Sequence, residues 1–343
     1  MKAAILGATG LVGQRFVQLL TDHPWFEITT LTGSERSAGI RFGEAVNWRM
    51  ETQLREGIAE MIVHPSNPTE VDADIVFSAL PADQAVETEE VFAKAGFAVV
   101  SNASAHRMDA DVPLMNPEAN FNHLKLIDEQ RHKRKWNGAI VTNPNCTTAV
   151  LSLSLKPIFD TFGLKNIVMS SMQAISGAGY PGVASLDIID NVIPFIKEEE
   201  EKVQRETQKI LGDIGHSAEF NVSASCHRVL VIDGHTEAIF VQTVKPTTPE
   251  QVVDCLAEFS AEPQELKLPS APKRPIIVRS DQDRPQPRFD RNEGRGMSVV
   301  VGRVRKDPVF DGVKYVAVGH NTIRGAAGCA VLIAESMKSQ GYI

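Results

Sequence analysis

The sequence has few of the features that mark secreted, membrane or metal-binding proteins. Its four cysteines, Cys146, Cys226, Cys255 and Cys329, form no CxxC pair, so neither a zinc site nor a redox dithiol is indicated. No apolar run approaches the ~18 residues of a transmembrane helix. A strand pattern begins at once over residues 1–6, which leaves no room for a signal peptide. We therefore expect a cytoplasmic protein without a metal site.

An excess of positive charge is also absent. The 43 acidic and 35 basic residues give a net charge of −8, which disfavours a nucleic-acid-binding surface. The single basic run, residues 131–135, is short and predicts an exposed helix end. A chain of 343 residues with 43% hydrophobic and 23% charged residues indicates a globular protein of two domains.

The first part of the chain alternates strand and helix patterns. Strands are predicted at 2–6, 27–31, 74–79, 97–101 and 139–142, with helices at 11–20 and 86–95 between them. This alternation predicts an α/β fold with a doubly wound, parallel, Rossmann-type sheet.

The pattern changes after Cys146. Longer strands are predicted at 167–175, 229–243, 298–304 and 315–318, and a polar helix at 198–211. The Pro-rich stretches 263–275 and 281–287 indicate surface loops, and 324–338 an amphipathic helix. We expect a second α+β domain with a mixed sheet over 148–322, and a dinucleotide-binding domain over 1–147 plus 323–343.

Three glycines spaced by three, Gly7, Gly10 and Gly13, follow the first strand and open the first helix. A glycine turn allows the backbone to approach a ligand, and a helix N-terminus offers N–H groups to a pyrophosphate. The sequence therefore predicts a dinucleotide site in which Thr9, Leu11 and Val12 also take part.

The second strand runs into Ser34-Glu35-Arg36-Ser37, which carries mixed signals about the cofactor. An acidic residue here typically binds the ribose of NAD, whereas Arg accommodates the additional phosphate of NADP. We favour NADP, with Ser34, Arg36 and Ser37 around the phosphate and Glu35 turned outward. NAD remains the alternative.

Cys146 lies in Asn143-Pro144-Asn145-Cys146-Thr147-Thr148, directly between a predicted strand and an apolar helix. The dipole of a helix N-terminus favours a thiolate, and its N–H groups are suited to hold an oxyanion. The pattern indicates a nucleophilic cysteine.

A nucleophilic cysteine needs a proton-transfer partner, and nine histidines compete for that role. His235 follows a glycine at a break between two strand-like runs, and His227 lies close by in the chain. Spacing favours His235 only modestly over His227.

Four motifs together resemble aspartate-semialdehyde dehydrogenases, especially their archaeal and fungal branch. They are GATGLVG at 7–13, NPNCTT at 143–148, SGAGYPG at 176–182 and RVLVIDGHTEA at 228–238. The resemblance extends over essentially the whole chain, in order.

This resemblance implies a role for each matching residue. Cys146 is the nucleophile, His235 the acid/base, and Gln173 and Asn145 assist them. Arg107 and Lys202 bind the substrate phosphate, Glu199 the amine and Arg228 the α-carboxylate, for which its fork is suited. A solvated helix face remains the alternative for Glu199 and Lys202, because that segment is acid-rich. Further cofactor contacts are implied for Ser78, Leu80, Ser176, Gly177 and Asn321.

The implied reaction is the NADPH-dependent reduction of L-4-aspartyl phosphate to aspartate 4-semialdehyde and phosphate, through a cysteine thioester. It belongs to the biosynthesis of lysine through diaminopimelate, and of threonine and methionine. A homodimer or a homotetramer is implied as well. Three alternatives stay open: a malonyl-CoA reductase on the same scaffold, an N-acetylglutamyl-phosphate reductase, and a non-enzymatic NADP-binding sensor.

Overall fold

The computed structural model describes residues 1–343. The chain divides into two compact units, 1–115 with 122–143 and 326–343, and 116–121 with 144–325. This division differs from the sequence-based boundaries by a few residues near 147 and 323, and it adds the segment 116–121 to the second unit. No helix combines the length and apolar character that crossing a bilayer requires.

The twelve strands form two six-stranded sheets, one in each unit. The strands are β1 Lys2–Leu6, β2 Glu27–Gly33, β3 Val63–Pro65, β4 Ile75–Ser78, β5 Ala98–Ser101, β6 Ala139–Thr142, β7 Leu164–Gln173, β8 Asn221–Arg228, β9 His235–Thr243, β10 Ile276–Arg279, β11 Val299–Asp307 and β12 Gly312–Gly319.

The chain also contains thirteen α-helices, several of them a single turn. They are α1 Leu11–Leu20, α2 Phe42–Ala45, α3 Glu56–Ala59, α4 Ala82–Lys94, α5 Pro117–Asn120, α6 Leu126–Arg134, α7 Cys146–Phe162, α8 Ser185–Ile188, α9 Glu199–Ile210, α10 Pro249–Ala257, α11 Glu262–Glu265, α12 Pro287–Asp290 and α13 Gly328–Ser339.

The sheet of the first unit has the order β3-β2-β1-β4-β5-β6, and every strand pair in it is parallel. This is the strand order of a doubly wound dinucleotide-binding domain, in which ligands bind where the order reverses, here between β1 and β4. Buried apolar residues of β1, β4, β5 and β6 pack with α4 on one face of the sheet. The predicted Rossmann-type sheet is confirmed.

The sheet of the second unit has the order β10-β11-β12-β9-β7-β8. Its outer pairs, β10–β11 and β7–β8, are parallel, and the three inner pairs are antiparallel. The mixed sheet predicted for this part of the chain is confirmed. Every second residue of β9 is buried, which leaves one face of the strand covered and the other partly open.

Two local predictions were wrong, and three strands were missed. The run 229–234 is not a strand, because β9 begins only at His235. Strands β3, β8 and β10 were not predicted from the sequence. The predicted amphipathic helix at 324–338 starts instead with a π-helical turn at Ile323–Ala327, and α13 is buried throughout residues 328–337. A helix buried on all sides carries no polar face.

Candidate active site

The glycine loop of the first unit connects β1 to α1 and has little room for side chains. Gly7 has a φ of +73°, and a Cβ there would lie 3.0 Å from the carbonyl oxygen of Ala79. At Gly13, a Cβ would lie 2.2 Å from the carbonyl oxygen of Gly7. Both positions therefore require glycine. The lack of a side chain allows the loop to lie close to Ala79 and to the first turn of α1.

The same loop presents backbone donors to a ligand. The helical bonds of α1 begin with the N–H of Gln14, which donates to the carbonyl oxygen of Gly10. The N–H groups of Leu11, Val12 and Gly13 have no acceptor within the protein. At Gly10, the N-cap, a Cβ would lie 3.5 Å from the carbonyl oxygen of Gly7, which is an ordinary contact distance. This arrangement fits a pyrophosphate.

The 34–37 loop offers two exposed side chains for an additional phosphate. Ser34 and Arg36 are exposed, as is Glu35. Ser37 differs from expectation, since it is buried and its hydroxyl donates to the carbonyl oxygen of Ser34 at 3.0 Å. Ser37 therefore shapes the turn, and Ser34 and Arg36 are the groups accessible to a ligand.

Three more predicted residues lie in the first unit. Ser78 ends β4 and is completely buried, so its hydroxyl is not exposed to a ligand. Leu80 is partly buried and packs against the core cluster of that unit. Arg107 is 7% exposed and donates to the carbonyl oxygen of Asn102 at 3.0 Å.

In the second unit, Cys146 is the first residue of α7, and its sulfur lies 3.1 Å from Nε2 of His235. His235 begins β9 and is completely buried. Its Nδ1 accepts the backbone N–H of Ala174 at 3.1 Å. Nδ1 therefore carries no proton, and neutral His235 presents an Nε2–H donor to the sulfur.

His227 does not share this position. It precedes Arg228 on β8, and its Nδ1 lies 3.2 Å from the carbonyl oxygen of Ser171 and 3.4 Å from the hydroxyl of Ser170. Successive side chains of a strand point to opposite faces of the sheet. His235, rather than His227, is thus the histidine next to Cys146.

Asn145 is the N-cap of α7. Its side-chain oxygen accepts the N–H groups of Thr147 at 2.8 Å and of Thr148 at 3.2 Å. The expectation that the N–H groups of this helix hold an oxyanion is therefore wrong for these two, because the cap already uses them. The Nε2–H of His235 is the donor that the geometry brings to the reacting sulfur.

Glu199 is a buried centre of hydrogen bonds and not part of a solvated helix face. It is 7% exposed and accepts from Asn145 Nδ2 at 2.9 Å, Gln173 Nε2 at 3.0 Å and Thr147 Oγ1 at 3.3 Å. Gln173 also donates to the hydroxyl of Ser171 at 3.2 Å. Lys202 lies outside this cluster and pairs with Glu198 at 3.2 Å.

Arg228 is the last residue of β8 and contacts the 174–177 segment, which also contacts His235. Its Nη1 donates to the carbonyl oxygen of Ala174 at 2.8 Å. A Cβ at Gly177 would lie 2.7 Å from that Nη1 and 3.3 Å from Cε1 of His235. Glycine is therefore required at 177 to leave both side chains in place.

Asn321 connects three segments around His235. Its side-chain oxygen accepts the N–H of Gly234, and its Nδ2 donates to the hydroxyl of Ser176, both at 2.8 Å. The cofactor contacts predicted for Ser176, Gly177 and Asn321 stay predictions. No group of three or more His, Cys, Asp or Glu side chains is arranged to hold a metal ion.

Sequence reasoning missed two buried acids next to this cluster. Glu206 accepts the backbone N–H of Asn145 at 2.6 Å, and Glu237 is completely buried with no hydrogen-bond partner for either oxygen. The spacing of Glu199 and Glu206, seven residues apart on one helix, was the available signal, because such residues share a face.

Comparison with known proteins supports the description of both units. Residues 2–127 match the family model "Semialdehyde dehydrogenase, NAD binding domain", and residues 155–324 match "Semialdehyde dehydrogenase, dimerisation domain". The chain is 55% identical to an aspartate-semialdehyde dehydrogenase of Archaeoglobus fulgidus, over 99% of this chain and 98% of that protein. It is also 44% identical to a malonyl CoA reductase (NADP) of Metallosphaera sedula, over 100% of this chain and 99% of the other.

A solved structure shares the fold over the same length. The aspartate semialdehyde dehydrogenase of Candida albicans, crystallised with NADP, superposes with a TM-score of 0.92 at 42% identity. The match covers 100% of this chain and 99% of that one.

Proposed function

The chain belongs to the aspartate-semialdehyde dehydrogenase family, and on that premise we propose that it reduces L-4-aspartyl phosphate to L-aspartate 4-semialdehyde and phosphate. One observation carries this proposal, the 3.1 Å approach of the Cys146 sulfur to Nε2 of His235 at the capped start of α7. The reaction supplies precursors of lysine, threonine and methionine.

Cys146 is the proposed nucleophile. Its sulfur attacks the β-carbonyl carbon of the substrate as a thiolate, the form that the helix N-terminus favours. A C–S bond forms, and the C–O bond to phosphate breaks with the electron pair leaving on phosphate. The oxygen that becomes negative is stabilised by the Nε2–H of His235. A donor held in place before the reaction costs no reorganisation during it.

His235 acts as a neutral donor in this proposal. Burial, followed by the positive charges of Arg228 and His320, lowers the pKa of His235 from 6.5 to about 3. The imidazolium is therefore scarcely populated near neutral pH. The hydrogen bond from Nε2 also favours departure of sulfur as an anion when the C–S bond breaks.

NADP is the proposed cofactor, and its reduced form, NADPH, would supply the hydride that reduces the thioester. The donors of Leu11, Val12 and Gly13 suit its pyrophosphate, and exposed Ser34 and Arg36 suit the additional phosphate. Further contacts are proposed from the backbone near Ser78 and Leu80 and from Ser176, Gly177 and Asn321.

Arg228 is the proposed ligand of the substrate carboxylate, and Arg107 and Lys202 of its phosphate. A planar guanidinium binds a carboxylate in two places, which a lysine does not reproduce. Glu199, proposed from the resemblance to bind the amine, has its oxygens committed to Asn145, Thr147 and Gln173. We propose that Glu199 orients Gln173 and the cap, and that Gln173 orients the substrate.

A homodimer is the proposed assembly. Residues 155–324 match a dimerisation domain, and the open face of its sheet carries Val168, Met172, Ala238, Phe240 and Val316, all at least partly exposed. This face suits a second copy of the chain. We place the enzyme in the cytoplasm, because its mechanism needs a reduced thiol at Cys146.

The deciding experiment measures oxidation of aspartate semialdehyde with each acyl acceptor and each cofactor. We expect turnover with phosphate and NADP, little with NAD, and none with coenzyme A. Cys146→Ser should remove nearly all turnover while binding of NADPH, followed by its fluorescence, stays unchanged. Acceptance of coenzyme A instead of phosphate would support a malonyl-CoA reductase, and full activity in Cys146→Ser would refute the mechanism.

A further inference from the structure

The buried face of α9 carries two carboxylates at the start of the nucleophile's helix. The buried residues of α9 are Glu199, Val203, Glu206, Thr207 and Ile210, and this face contacts α7. Burying a carboxylate is costly unless hydrogen-bond donors compensate it. Both acids accept such hydrogen bonds, and Asn145 is a donor to each of the two.

Every polar group of Asn145 is engaged. Its backbone N–H donates to Glu206 Oε2 at 2.6 Å, and its Nδ2 donates to Glu199 Oε2 at 2.9 Å. Its side-chain oxygen accepts from Thr147 and Thr148, and its carbonyl oxygen accepts the N–H of Ala149 at 2.8 Å. The residue before the nucleophile is thus fixed from both sides, by α9 and by its own helix.

From this arrangement we propose that Glu206 is a positioning residue for Cys146. Its carboxylate fixes the backbone of Asn145, and the fixed cap sets the direction in which the Cys146 sulfur leaves α7. Glu206 touches neither substrate nor sulfur in this role and acts through Asn145.

The chemistry of the contact supports a role beyond filling space. A hydrogen bond from an N–H to a carboxylate is roughly twice as strong as one to a neutral acceptor. Displacing a reacting group by ~1 Å costs up to ~100-fold in rate. A charged acceptor one residue before the nucleophile therefore favours a single orientation of the thiol.

Glu206→Gln tests this proposal, with Glu201→Gln as its control. Both variants lose one negative charge from the same helix, but Glu201 is exposed. We expect Glu206→Gln to lower kcat by ~10- to 100-fold, with KM for aspartate semialdehyde within ~3-fold of the parent. Exchange of the Asn145 amide, followed by mass spectrometry of the 143–149 segment, should accelerate at least ~10-fold, since each factor of ten is a ~1.4 kcal/mol loss.

Only the kinetic readout of this proposal rests on the proposed function. The possible outcomes therefore distinguish failure of the function from failure of the proposal. A parent protein inactive on aspartate semialdehyde would refute the function, and amide exchange would still decide the role of Glu206. Unchanged exchange and unchanged kcat in Glu206→Gln would overturn the proposal. Glu206→Asp, which keeps the charge on a shorter side chain, should show an intermediate kcat. If neither variant folds, Glu206 is a folding residue and the proposal is wrong.

Discussion

Two ionisable side chains of β9, His235 and Glu237, are completely buried. They lie two residues apart and so point to the same face of the sheet. Burial lowers the pKa of His235 to about 3, and burial together with the nearby charge of Glu199 raises the pKa of Glu237 well above 4.5. Burial therefore favours the uncharged form of both side chains.

Glu237→Gln should stabilise the protein increasingly as pH rises. In the fold burial favours the protonated acid and raises its pKa, whereas in the unfolded chain the acid ionises above about 4.5. The folded state therefore binds the additional proton, and stability falls with pH between the unfolded and the raised folded pKa. Gln is neutral in both states, so the difference in Tm between Glu237→Gln and the parent should grow from pH 5.5 to pH 8.5.

The control for this prediction is Glu201→Gln, whose side chain is exposed. Its difference in Tm from the parent should not follow the same trend. A difference for Glu237→Gln that stays constant across that range would mean that Glu237 is ionised in the fold. In that case a hydrogen-bond donor or a positive charge would have to approach Glu237 and compensate its negative charge.

At the scale of single elements, the sequence predicted what depends on local pattern. The bounds of β1, α1 and β6 agree with the structure, because each has a simple apolar run or helical spacing between turn residues. Strand β8, with the sequence NVSASCHR, was missed because its residues are mostly small or polar. It forms a strand because β7 provides a parallel partner along its whole length.

The active site shows the same limit. The motifs around Cys146 and His235 identify the reacting groups, because their chemistry depends on residue type. In the acid-rich segment at 198–206, the seven-residue spacing of Glu199 and Glu206 predicts that they share a helix face, but it does not predict that this face is the buried one. Only the packing of α9 on α7 turns Glu199 and Glu206 toward Asn145, while Glu201 remains exposed.

The N-cap of α7 should contribute to both stability and catalysis. Asn145→Ala removes a cap, which costs ~1 kcal/mol in typical helices, and it also takes a donor from buried Glu199. We therefore expect a loss of ~2 kcal/mol in the free energy of unfolding, measured with urea, and a clear fall in kcat.

Thr248→Ala is the matched control, because Thr248 caps α10 through a complete capping box and is exposed. It should cost ~1 kcal/mol in unfolding free energy and leave kcat unchanged. Equal effects of both variants on kcat would contradict a special role for the cap at Asn145.

At the scale of the whole molecule, each unit carries a separate part of the chemistry. The first unit holds the glycine loop with its backbone donors, and the second holds Cys146, His235 and Arg228. Binding of NADP and reactivity of the thiol should therefore be separable by mutation. The second unit also has a surface that its own helices leave open, the face of β7, β9 and β12 that includes Val168 and Phe240.

Val168→Glu should dissociate the proposed dimer. Val168 is 37% exposed on β7 and pairs with Phe240 of β9, so a charge there would be buried by a second copy of the chain. An unpaired buried charge is strongly unfavourable, and the variant should sediment as a monomer where the parent sediments as a dimer. Val309→Glu makes the same change at a residue that is 78% exposed and lies between β11 and β12, away from this face. Val309→Glu should remain dimeric. If Val168→Glu also remained dimeric, the dimer interface would have to lie elsewhere on the chain.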